Sequence, residues 1–542
     1  MNKKQIEIGS KVQEETLKGI KILYDSVVST LGPSGKNVII EDEYDNIHIT
    51  KDGVTVAKSI NVKDKLHNAV IQIIKKVAQD TDDKVGDGTT TATVLAYNII
   101  KEGLRLSQLG GNSIEIKRGI DQAVDYVINS LDEMSISMEN DEQIRHLALV
   151  SSNNDNKIAE LLVKAITKVG RDGIIMVEDS NTMKDELDFA QGLQFDKGFL
   201  SHYFITNQQT MECELDNPYI LLYDHKITTN DQLMKILQVI SMKQQSLLII
   251  ANDIADQAMA LLIMNKLRGN MKIAAVKAPG FGDEQKKILE DISILTNTEV
   301  FSYDKGQKLE NIDNLEVLGQ CGKVRITKNK TTIIDGIGDE TKKLKRVEDI
   351  KSLIDNSDSN YEKEKLQKRM ANILNGIAII RIGAETEMEL NEKKDRFNDA
   401  LNATKSGIEN GILPGGGLSL MRILHNKNKI KEYASMTPDQ KIGFDILMAS
   451  ISSPFDNILK NANEHPEVIW NKIKNKIDNY GYDVRNKKYG DMIEMGIIDP
   501  TKVVKTGLKK ASSIASLFLT TEIFILDIPN KDKPQIHPQQ MY

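Results

Sequence analysis

Hydrophobic residues follow two different periods along this chain, and the change of period divides it into three parts. From Ile20 to Leu31, and again from Leu66 to Val77, apolar residues recur every three or four positions, which is typical of amphipathic helices. Between about residues 170 and 385, short β-branched runs alternate with helical stretches, which indicates an α/β insert. Beyond residue 385 the helical period returns. We therefore predict a mostly helical body built from both ends of the chain, with a mixed α and β domain inserted into it.

Individual elements follow from the same pattern. The predicted strands occupy residues 37–41, 47–50, 173–178, 219–223, 247–251, 272–277, 323–327 and 376–382, and helices are predicted at 230–243, 255–268 and 283–296. The helix that includes Leu66 is expected to fray at residues 80–83, and another is expected to begin at Thr89. The charged stretch 340–368 predicts a solvated helical hairpin, and the polar residues 530–542 predict a disordered tail.

Composition excludes several classes of protein. The chain has 542 residues, too many for one core, which suggests roughly two to four domains. A net charge of −7 argues against a binder of nucleic acid or of a membrane surface. Cys213 and Cys321 are too few for a disulfide framework, so a reducing compartment fits. Because no apolar run reaches ~18 residues and the N-terminus turns acidic too soon for a signal peptide, we expect a cytoplasmic protein.

The sequence GDGTTT at residues 86–91 is the strongest candidate for a ligand site. Its glycines allow a ligand to approach the backbone closely, and the helix expected after it directs N–H groups and a positive dipole end at the same point. A carboxylate in such an anion site requires a cation, so Asp87 with Mg²⁺ and a phosphate would account for the motif. The alternative is an N-capped helix that follows a glycine turn.

Three other loops have both a functional and a structural interpretation. Lys51, Asp52 and Gly53 follow a predicted strand, where they either serve phosphate and a metal or water, or form a common turn. The sequence TLGP at 30–33 is either a helix stop or a phosphate loop, and PGGG at 414–417 is either a nucleotide contact or a hinge. The chain lacks the P-loop and dinucleotide glycine motifs, HExxH, Cys/His clusters at zinc spacing and the GxSxG elbow.

Two helical stretches of the middle region are rich in long apolar residues. Their periodicity favours burial in a core, whereas methionine is also typical of adaptable apolar binding surfaces. Periodicity alone leaves both interpretations open. The residues are Leu233, Met234, Ile236 and Leu237 in one stretch, and Met259, Leu261, Leu262, Ile263 and Met264 in the other.

Six sequence motifs occur together in this chain. They are LGPSGKN at 31–37, TKDGVTVA at 50–57, GDGTTTAT at 86–93, VKAPGFG at 276–282, GGG at 415–417 and DPTK at 499–502. In this order and at this spacing they resemble the group I chaperonins, the GroEL/Hsp60 family. The resemblance covers nearly the whole chain, from about residue 9 to residue 529.

The resemblance implies a multidomain α and α/β fold. Its parts would be a mostly helical equatorial ATP-binding domain (residues 1–134 and 412–529), a small intermediate hinge domain (135–191 and 377–411) and an inserted α/β apical substrate-binding domain (192–376). It implies an ATPase that folds unfolded or partly folded proteins inside a heptameric ring, single or double. ATP, Mg²⁺ and K⁺ would be its cofactors, and a small cochaperonin lid a further partner.

The family's nucleotide residues match positions of this chain. Asp52 matches the aspartate near the attacking water, and Asp399 matches the aspartate that the intermediate domain brings to the nucleotide, so both are expected to be catalytic. Asp87 matches the magnesium ligand. The resemblance places K⁺ near Thr30, Lys51 and Thr90. The remaining nucleotide-binding positions match Thr30, Leu31, Gly32, Pro33, Lys51, Gly88, Thr89, Thr90, Thr91, Gly416 and Asp499.

The resemblance also assigns a substrate- and lid-binding surface. It favours an exposed groove for part of both methionine-rich helices, and such a groove binds unfolded chains without sequence preference. The matching residues are Phe199, Tyr203, Phe204, Met234, Leu237, Met259, Ile263 and Met264.

This chain departs from the family pattern at several positions. Residues 483–485 are Asp-Val-Arg where Asn-Ala-Ala is usual beside the adenine. Asp456 and His465 stand where the ring-to-ring contact usually has a basic and an acidic residue, which makes a single ring a working hypothesis. The alternative function is a passive holdase or assembly scaffold of the same fold, against which the three aspartates at 52, 87 and 399 argue.

Overall fold

The computed structural model describes residues 4–527, without 42–46, 86–87, 108–110, 139, 153, 172, 181, 209, 270, 313, 358, 375 and 427–431. The chain divides into two compact units, unit 1 (Met1–Val163 and Asn391–Tyr542) and unit 2 (Lys164–Leu390). Both ends of the chain therefore share one unit and the middle forms the other, as the change of hydrophobic period predicts. The finer division into three domains stays a prediction, and the predicted tail at 530–542 lies outside the described residues.

The N-terminal part of unit 1 is mostly helical. It comprises β1 (Lys4–Ile8), α1 (Ser10–Val28), β2 (Val38–Glu41), β3 (Ile47–Thr50), α2 (Gly53–Ser59), α3 (Lys65–Val85), α4 (Thr89–Ser107), α5 (Ser113–Met134), α6 (Asp141–Ser151) and α7 (Asn156–Val169), whose end belongs to unit 2. The expectation that α3 frays at 80–83 is wrong, since the helix continues to Val85. Each residue added to a helix contributes a backbone hydrogen bond whether its side chain is polar or apolar, so the polar run at 80–83 continues the helix, and α3 ends at the residue before Gly86.

Unit 2 alternates strands and helices. It comprises β4 (Ile174–Asp179), β5 (Glu186–Ala190), β6 (Gly192–Phe195), β7 (Cys213–Asp216), β8 (Tyr219–Ile227), α8 (Asp231–Met242), β9 (Leu247–Ile254), α9 (Asp256–Leu267), β10 (Ile273–Lys277), α10 (Gly282–Thr296), β11 (Val300–Phe301), β12 (Gly319–Ile326), β13 (Thr331–Gly336), α11 (Glu340–Asn356), α12 (Asn360–Leu374) and β14 (Ile377–Ile382). β8, β9 and β10 are parallel, and β12, β13 and β6 continue the sheet antiparallel. β4, β14 and β5 form a separate sheet. The predicted charged hairpin is confirmed as α11 and α12.

The C-terminal part completes unit 1. It comprises α13 (Glu387–Asn410), whose first residues belong to unit 2, β15 (Ile412–Pro414), α14 (Leu418–His425), α15 (Pro438–Ser450), α16 (Ser453–Asn461), α17 (Pro466–Ile473), β16 (Tyr480–Asp483), β17 (Lys488–Asp491), β18 (Ile498–Pro500), α18 (Thr501–Leu519) and β19 (Ile523–Asp527). β19 pairs antiparallel with β1. The two ends of the chain are therefore joined by a ladder of backbone hydrogen bonds.

Helices α5 and α15 join the early and late parts of unit 1 by direct backbone contact. A Cβ added to Gly443 on α15 would lie 1.9 Å from the carbonyl oxygen of Ile116 on α5, and one added to Gly119 would lie 2.0 Å from the carbonyl oxygen of Gln440. Any larger residue at these positions would separate the helices. Two glycines therefore allow the closest approach in this helix pair.

Two exclusions drawn from composition can be compared with the structure. Cys213 and Cys321 are both free thiols buried in the core of unit 2. Burial raises the pKa of Cys213 to about 11 and the pKa of Cys321 to about 12, so both thiols stay protonated at neutral pH.

Over the described residues, no helix combines the length and the apolar character that crossing a bilayer requires.

Candidate functional site

A cavity of about 500 Å³ lies within unit 1. Its wall comes from separate segments of the chain, including the turns that follow α1 and precede α2, the start of α4, one side of α13 and the turn before α14. The wall includes every predicted nucleotide-site residue that the structure describes, whereas Asp87 lies outside the described residues. These wall residues are Thr30, Leu31, Gly32, Pro33, Lys51, Asp52, Gly88, Thr89, Thr90, Thr91, Asp399, Gly416 and Asp499.

The turn at residues 30–33 follows the end of α1. Thr30 Oγ1 donates to the Val27 carbonyl at 2.8 Å. Gly32 adopts a φ of 82°, which favours glycine because it has no Cβ. The Gly35 N–H then donates to the Gly32 carbonyl at 2.9 Å. The helix-stop interpretation is therefore confirmed, and this stop also forms part of the cavity wall.

Asp52 is the N-cap of α2, at the end of β3. Its carboxylate accepts hydrogen bonds from the Val54 N–H at 3.1 Å and the Thr55 N–H at 2.6 Å, which fixes the orientation of the side chain. A Cβ added to Gly53 would lie 1.9 Å from Thr90 Oγ1. The glycine therefore lets the Asp52 turn touch the first turn of α4.

The start of α4 has the properties of an anion site. Gly88 has a φ of 83°, and residues 89–91, all threonines, follow it as the first turn of the helix and line the cavity. The N–H groups of a first helical turn have no acceptor within the helix, and the helix dipole places partial positive charge there. This segment is therefore suited to a phosphate group.

One face of α13 lines the cavity. The four lining residues recur at a spacing of three and four positions, which places them along a single helix face. Phe397, which lies on the other side of the helix, is fully buried. Asp399 is therefore directed to the same cavity as Asp52. The lining residues of this face are Glu392, Asp395, Arg396 and Asp399.

Arg396 anchors this face of α13 to the segment between α6 and α7. Its Nη1 donates to Asp155 Oδ2 at 3.3 Å, and its Nη2 donates to Glu392 Oε2 at 2.8 Å. Its Nε is buried and has no hydrogen-bond partner among the described residues. Sequence reasoning missed Arg396 and Glu392, although their helical spacing from Asp399 was a usable signal.

The glycine turn before α14 lies against Asp499. β15 and β18 pair antiparallel with Leu413 opposite Asp499, and the Gly415 N–H donates to the Ile497 carbonyl at 2.9 Å. A Cβ added to Gly415 would lie 3.1 Å from Asp499 Oδ1. Two segments separated by about 80 residues of sequence therefore form one part of the cavity wall.

The turn between β16 and β17 explains one departure from the family pattern. Asp483 is buried, and its carboxylate accepts from the Arg485 N–H at 2.9 Å, the Asn486 N–H at 3.2 Å and Asn486 Nδ2 at 2.6 Å. Asp483 therefore stabilises the turn, and Val484 and Arg485 also line the cavity.

His146 is a wall residue for which the sequence offered no signal. It lies on α6, and a Cβ added to Gly496 would lie 2.7 Å from its ring. The imidazole therefore packs directly on the backbone that leads into β18, a contact between parts of the chain that no local pattern relates.

The predicted substrate-binding residues of unit 2 fall into three classes of exposure. Tyr203 (61%), Met234 (56%) and Met264 (50%) are exposed, whereas Phe199, Met259 and Ile263 are partly buried against the core. Phe204 is fully buried and Leu237 is 5% exposed. The expectation of an exposed groove is therefore corrected for Phe204 and Leu237, whose side chains complete the core in this conformation.

Lys266 connects two of the segments that carry these residues. It lies on α9, and its Nζ donates to the backbone carbonyls of Phe204 and Ile205. Burial lowers the pKa of Lys266. The segment with Tyr203 and Phe204 is thereby held against the helix with Met259, Ile263 and Met264.

Comparison with known proteins agrees with this architecture. The model of the TCP-1/cpn60 chaperonin family matches residues 23–529. Two solved structures of the chaperonin gp146 from the bacteriophage EL 2 (Pseudomonas aeruginosa), both in the presence of ATP-BeFx, are similar in fold. Crystal form II has a TM-score of 0.73 and 23% identity, covering 97% of this chain and 99% of that chain. Crystal form I has a TM-score of 0.65 and 22% identity, with the same coverage of 97% and 99%. The chain therefore belongs to the TCP-1/cpn60 chaperonin family.

Proposed function

We propose that this chaperonin hydrolyses ATP in the cavity of unit 1 and uses the reaction to bind, enclose and release non-native polypeptides. The family match supports the chaperonin function, and the ATP-BeFx complexes of the related phage protein support nucleotide binding. In this proposal residues 1–134 and 412–529 are the equatorial domain, 135–191 and 377–411 the hinge domain, and 192–376 the apical domain.

The observation that carries the proposal is the set of chemical groups in one cavity. Asp52 and Asp399 come from segments far apart in the sequence, yet both line the cavity beside the N-terminus of α4. Cationic and hydroxyl side chains bind the phosphates of a nucleoside triphosphate, and a glycine, which has no side chain, lets its sugar approach the backbone closely. Lys51, Thr90 and Gly416 supply such groups in the same wall, so the residues present fit this ligand.

The proposed catalytic roles follow from this placement. Bound Mg²⁺–ATP would supply the phosphoanhydride bond and a metal ion that neutralises phosphate charge. Lys51 and the start of α4 bind phosphate oxygens, and Asp87 is the proposed magnesium ligand. Asp52, oriented by its two N–H donors, orients the attacking water, and Asp399 accepts its proton. K⁺ is proposed near Thr30, Lys51 and Thr90.

Unit 2 is the proposed client-binding part. Tyr203, Met234 and Met264 present large apolar side chains to solvent, and methionine adapts to apolar partners of different shape. Unfolded and partly folded proteins expose such apolar segments, so binding needs no particular sequence. A small cochaperonin lid would compete for the same residues.

Self-association is part of the proposal. We infer a heptameric ring that acts in the cytoplasm, and the residues Asp456 and His465 favour a single ring because they replace the opposite charges usual at a ring-to-ring contact. Sedimentation tests this directly, since a particle of about fourteen chains would exclude the single ring.

Phosphate release by the full chain with Mg²⁺ and ATP tests the catalytic assignment. We expect Asp399→Asn to retain ATP binding and to lower the turnover number by at least ~100-fold, because a positioned carboxylate contributes about that much to proton transfer. Glu409→Gln is the matched control on the same helix, since Glu409 pairs with Lys502 at 3.1 Å on the surface. The control should keep its rate within about two-fold.

Two results would contradict this proposal. Equal turnover in Asp399→Asn and the wild type would exclude the catalytic role of Asp399. A wild-type chain that suppresses aggregation of an unfolded client but releases no phosphate would instead be the passive holdase or scaffold of the same fold.

A further inference from the structure

Helix α16 contacts two of the loops that line the cavity of unit 1. Near its start, Phe455 abuts the glycine turn before α14, since a Cβ added to Gly417 would lie 2.6 Å from Phe455 N. Near its end, Ile458 abuts the turn at residues 30–33, since a Cβ added to Gly32 would lie 3.1 Å from Ile458 Cγ2. This nine-residue helix therefore touches two separate segments of the wall at once.

The last residue of α16 makes the most specific of these contacts. Asn461 Nδ2 donates to the Val28 carbonyl at 2.8 Å and to the Leu31 carbonyl at 2.9 Å. Val28 ends α1, where carbonyl groups have no donor within the helix, and Leu31 lies inside the 30–33 turn. A side-chain amide carries two N–H donors. Both are used here, so one side chain caps α1 and fixes the turn that follows it.

We propose that Asn461 is a positioning residue for the nucleotide, because it holds the 30–33 turn in its phosphate-binding conformation already in the nucleotide-free chain. The inference rests on the proposed function, which makes this turn part of a nucleotide site. Asn461 is not one of the described residues that line the cavity, so it acts on the nucleotide through the turn. A preorganised turn loses less conformational entropy on binding, and this difference strengthens affinity.

The same helix offers a matched control. Asn457 lies one turn before Asn461, and its Nδ2 donates to the Ser453 carbonyl of its own helix at 2.8 Å. Its Oδ1 accepts from Tyr24 Oη at 3.1 Å, a bond that aspartate can also accept. Asn457→Asp therefore makes the same chemical change on α16 without removing a donor from the turn.

Hydrogen exchange of the nucleotide-free chain tests whether Asn461 stabilises the 30–33 turn. The amides of Gly35 and Lys36 donate to the carbonyls of Gly32 and Ser29 at 2.9 and 2.8 Å, so a peptide spanning residues 29–37 reports on the turn. In Asn461→Asp both donors are lost and a carboxylate meets two carbonyl oxygens. We expect this peptide to exchange about ten-fold faster in Asn461→Asp and at the wild-type rate in Asn457→Asp.

Phosphate-release kinetics test the consequence for the nucleotide. We expect the KM for ATP to rise about five- to twenty-fold in Asn461→Asp, as loss of one or two hydrogen bonds predicts, with kcat within about two-fold of the wild type. A merely structural role would lower the active fraction and therefore kcat. If Asn461→Asp does not fold, Asn461→Ala removes both donors without adding a charge and carries the same expectations.

The outcomes separate this inference from the proposed function. Equal exchange in Asn461→Asp and Asn457→Asp overturns the inference, as does faster exchange with an unchanged KM. If the wild type neither binds nor hydrolyses ATP, the proposed function fails, and the exchange data still decide whether Asn461 holds the turn.

Discussion

The guanidinium carbon of Arg422 lies 5.4 Å from the centroid of the Trp470 ring, within the range of a cation–π contact. Arg422 is only 2% exposed, and burial lowers its pKa. Its N–H groups donate to backbone carbonyls at 2.8–3.1 Å, so peptide dipoles stabilise the buried charge. The acceptors are Ile473, Lys474, Ile477, Asp478 and Tyr480. One arginine thereby organises the loop between α17 and β16, which leads to the cavity.

Replacing Arg422 by lysine should destabilise this loop. Lysine keeps the charge but has three donors on a single nitrogen, and it cannot reach acceptors arranged around a planar fork. We expect Arg422→Lys to lower the free energy of unfolding by about 2–4 kcal/mol and to speed hydrogen exchange at residues 473–480. Denaturant unfolding and exchange mass spectrometry measure the two effects.

Arg105→Lys provides the comparison for that substitution. Arg105 is exposed on α4 and pairs with Glu102 at 2.9 Å, so the same change should alter stability by less than about 0.5 kcal/mol. Similar losses in the two variants would show that the carbonyl contacts of Arg422 contribute little.

The sequence predicted the elements whose periodicity is strong and local. The parallel strands and alternating helices of unit 2, and the helical ends of the chain, were visible in the spacing of apolar residues. In unit 2, strands β5, β6, β7, β11 and β13 were missed, and short runs such as Gly192–Phe195 contain little periodic signal. Their positions depend on pairing with distant strands, which a local pattern does not encode.

The candidate site shows a similar division. The loops at 30–33, 51–53, 88–91 and 415–417 were recognisable because glycine, threonine and charged residues mark them in the sequence. Asn461 and Arg422 were not recognised, because they bind backbone carbonyls, and carbonyl groups are the same at every position. Asp483 was noted as a departure, but only the structure identifies it as the residue that stabilises its turn.

Two helical glycines of unit 1, Gly443 on α15 and Gly507 on α18, predict opposite effects on stability when each is replaced by alanine. At Gly443 a Cβ would lie 1.9 Å from the Ile116 carbonyl oxygen, so Gly443→Ala must separate the helices and should destabilise the chain by at least ~2 kcal/mol. At Gly507, within α18, the nearest atom would be Ala92 Cβ at 3.7 Å, which is an ordinary contact. Gly507→Ala should therefore stabilise the chain by about 0.5–1 kcal/mol through the helix preference of alanine.

Denaturant unfolding of the two alanine variants under identical conditions shows whether each substitution raises or lowers the free energy of unfolding. A Gly443→Ala variant as stable as the wild type would exclude the backbone contact between α5 and α15. Loss of stability in Gly507→Ala would mean that α18 has less room beside α4 than its geometry indicates.

The stability of unit 1 should depend on pH through Asp456 on α16. Asp456 is half-buried, and burial raises its pKa above the usual 3.8, although the Ser452 hydroxyl, which donates to it at 3.0 Å, and Lys460 partly oppose this shift. The folded state therefore retains a proton that the unfolded chain releases, so stability falls as pH rises from about 3.8 through the raised pKa. We expect Asp456→Asn to be more stable than the wild type at pH 7, with the difference shrinking toward pH 4, as measured by urea unfolding across that range.

Ser452→Ala removes a group that favours the ionised carboxylate of Asp456, so it should destabilise the wild type more at pH 7 than at pH 4. In the Asp456→Asn background, the effect of Ser452→Ala should no longer depend on pH. Parallel pH profiles for Asp456→Asn and the wild type would contradict the predicted linkage, because the carboxyl group would then have the same proton affinity in the folded and unfolded chain.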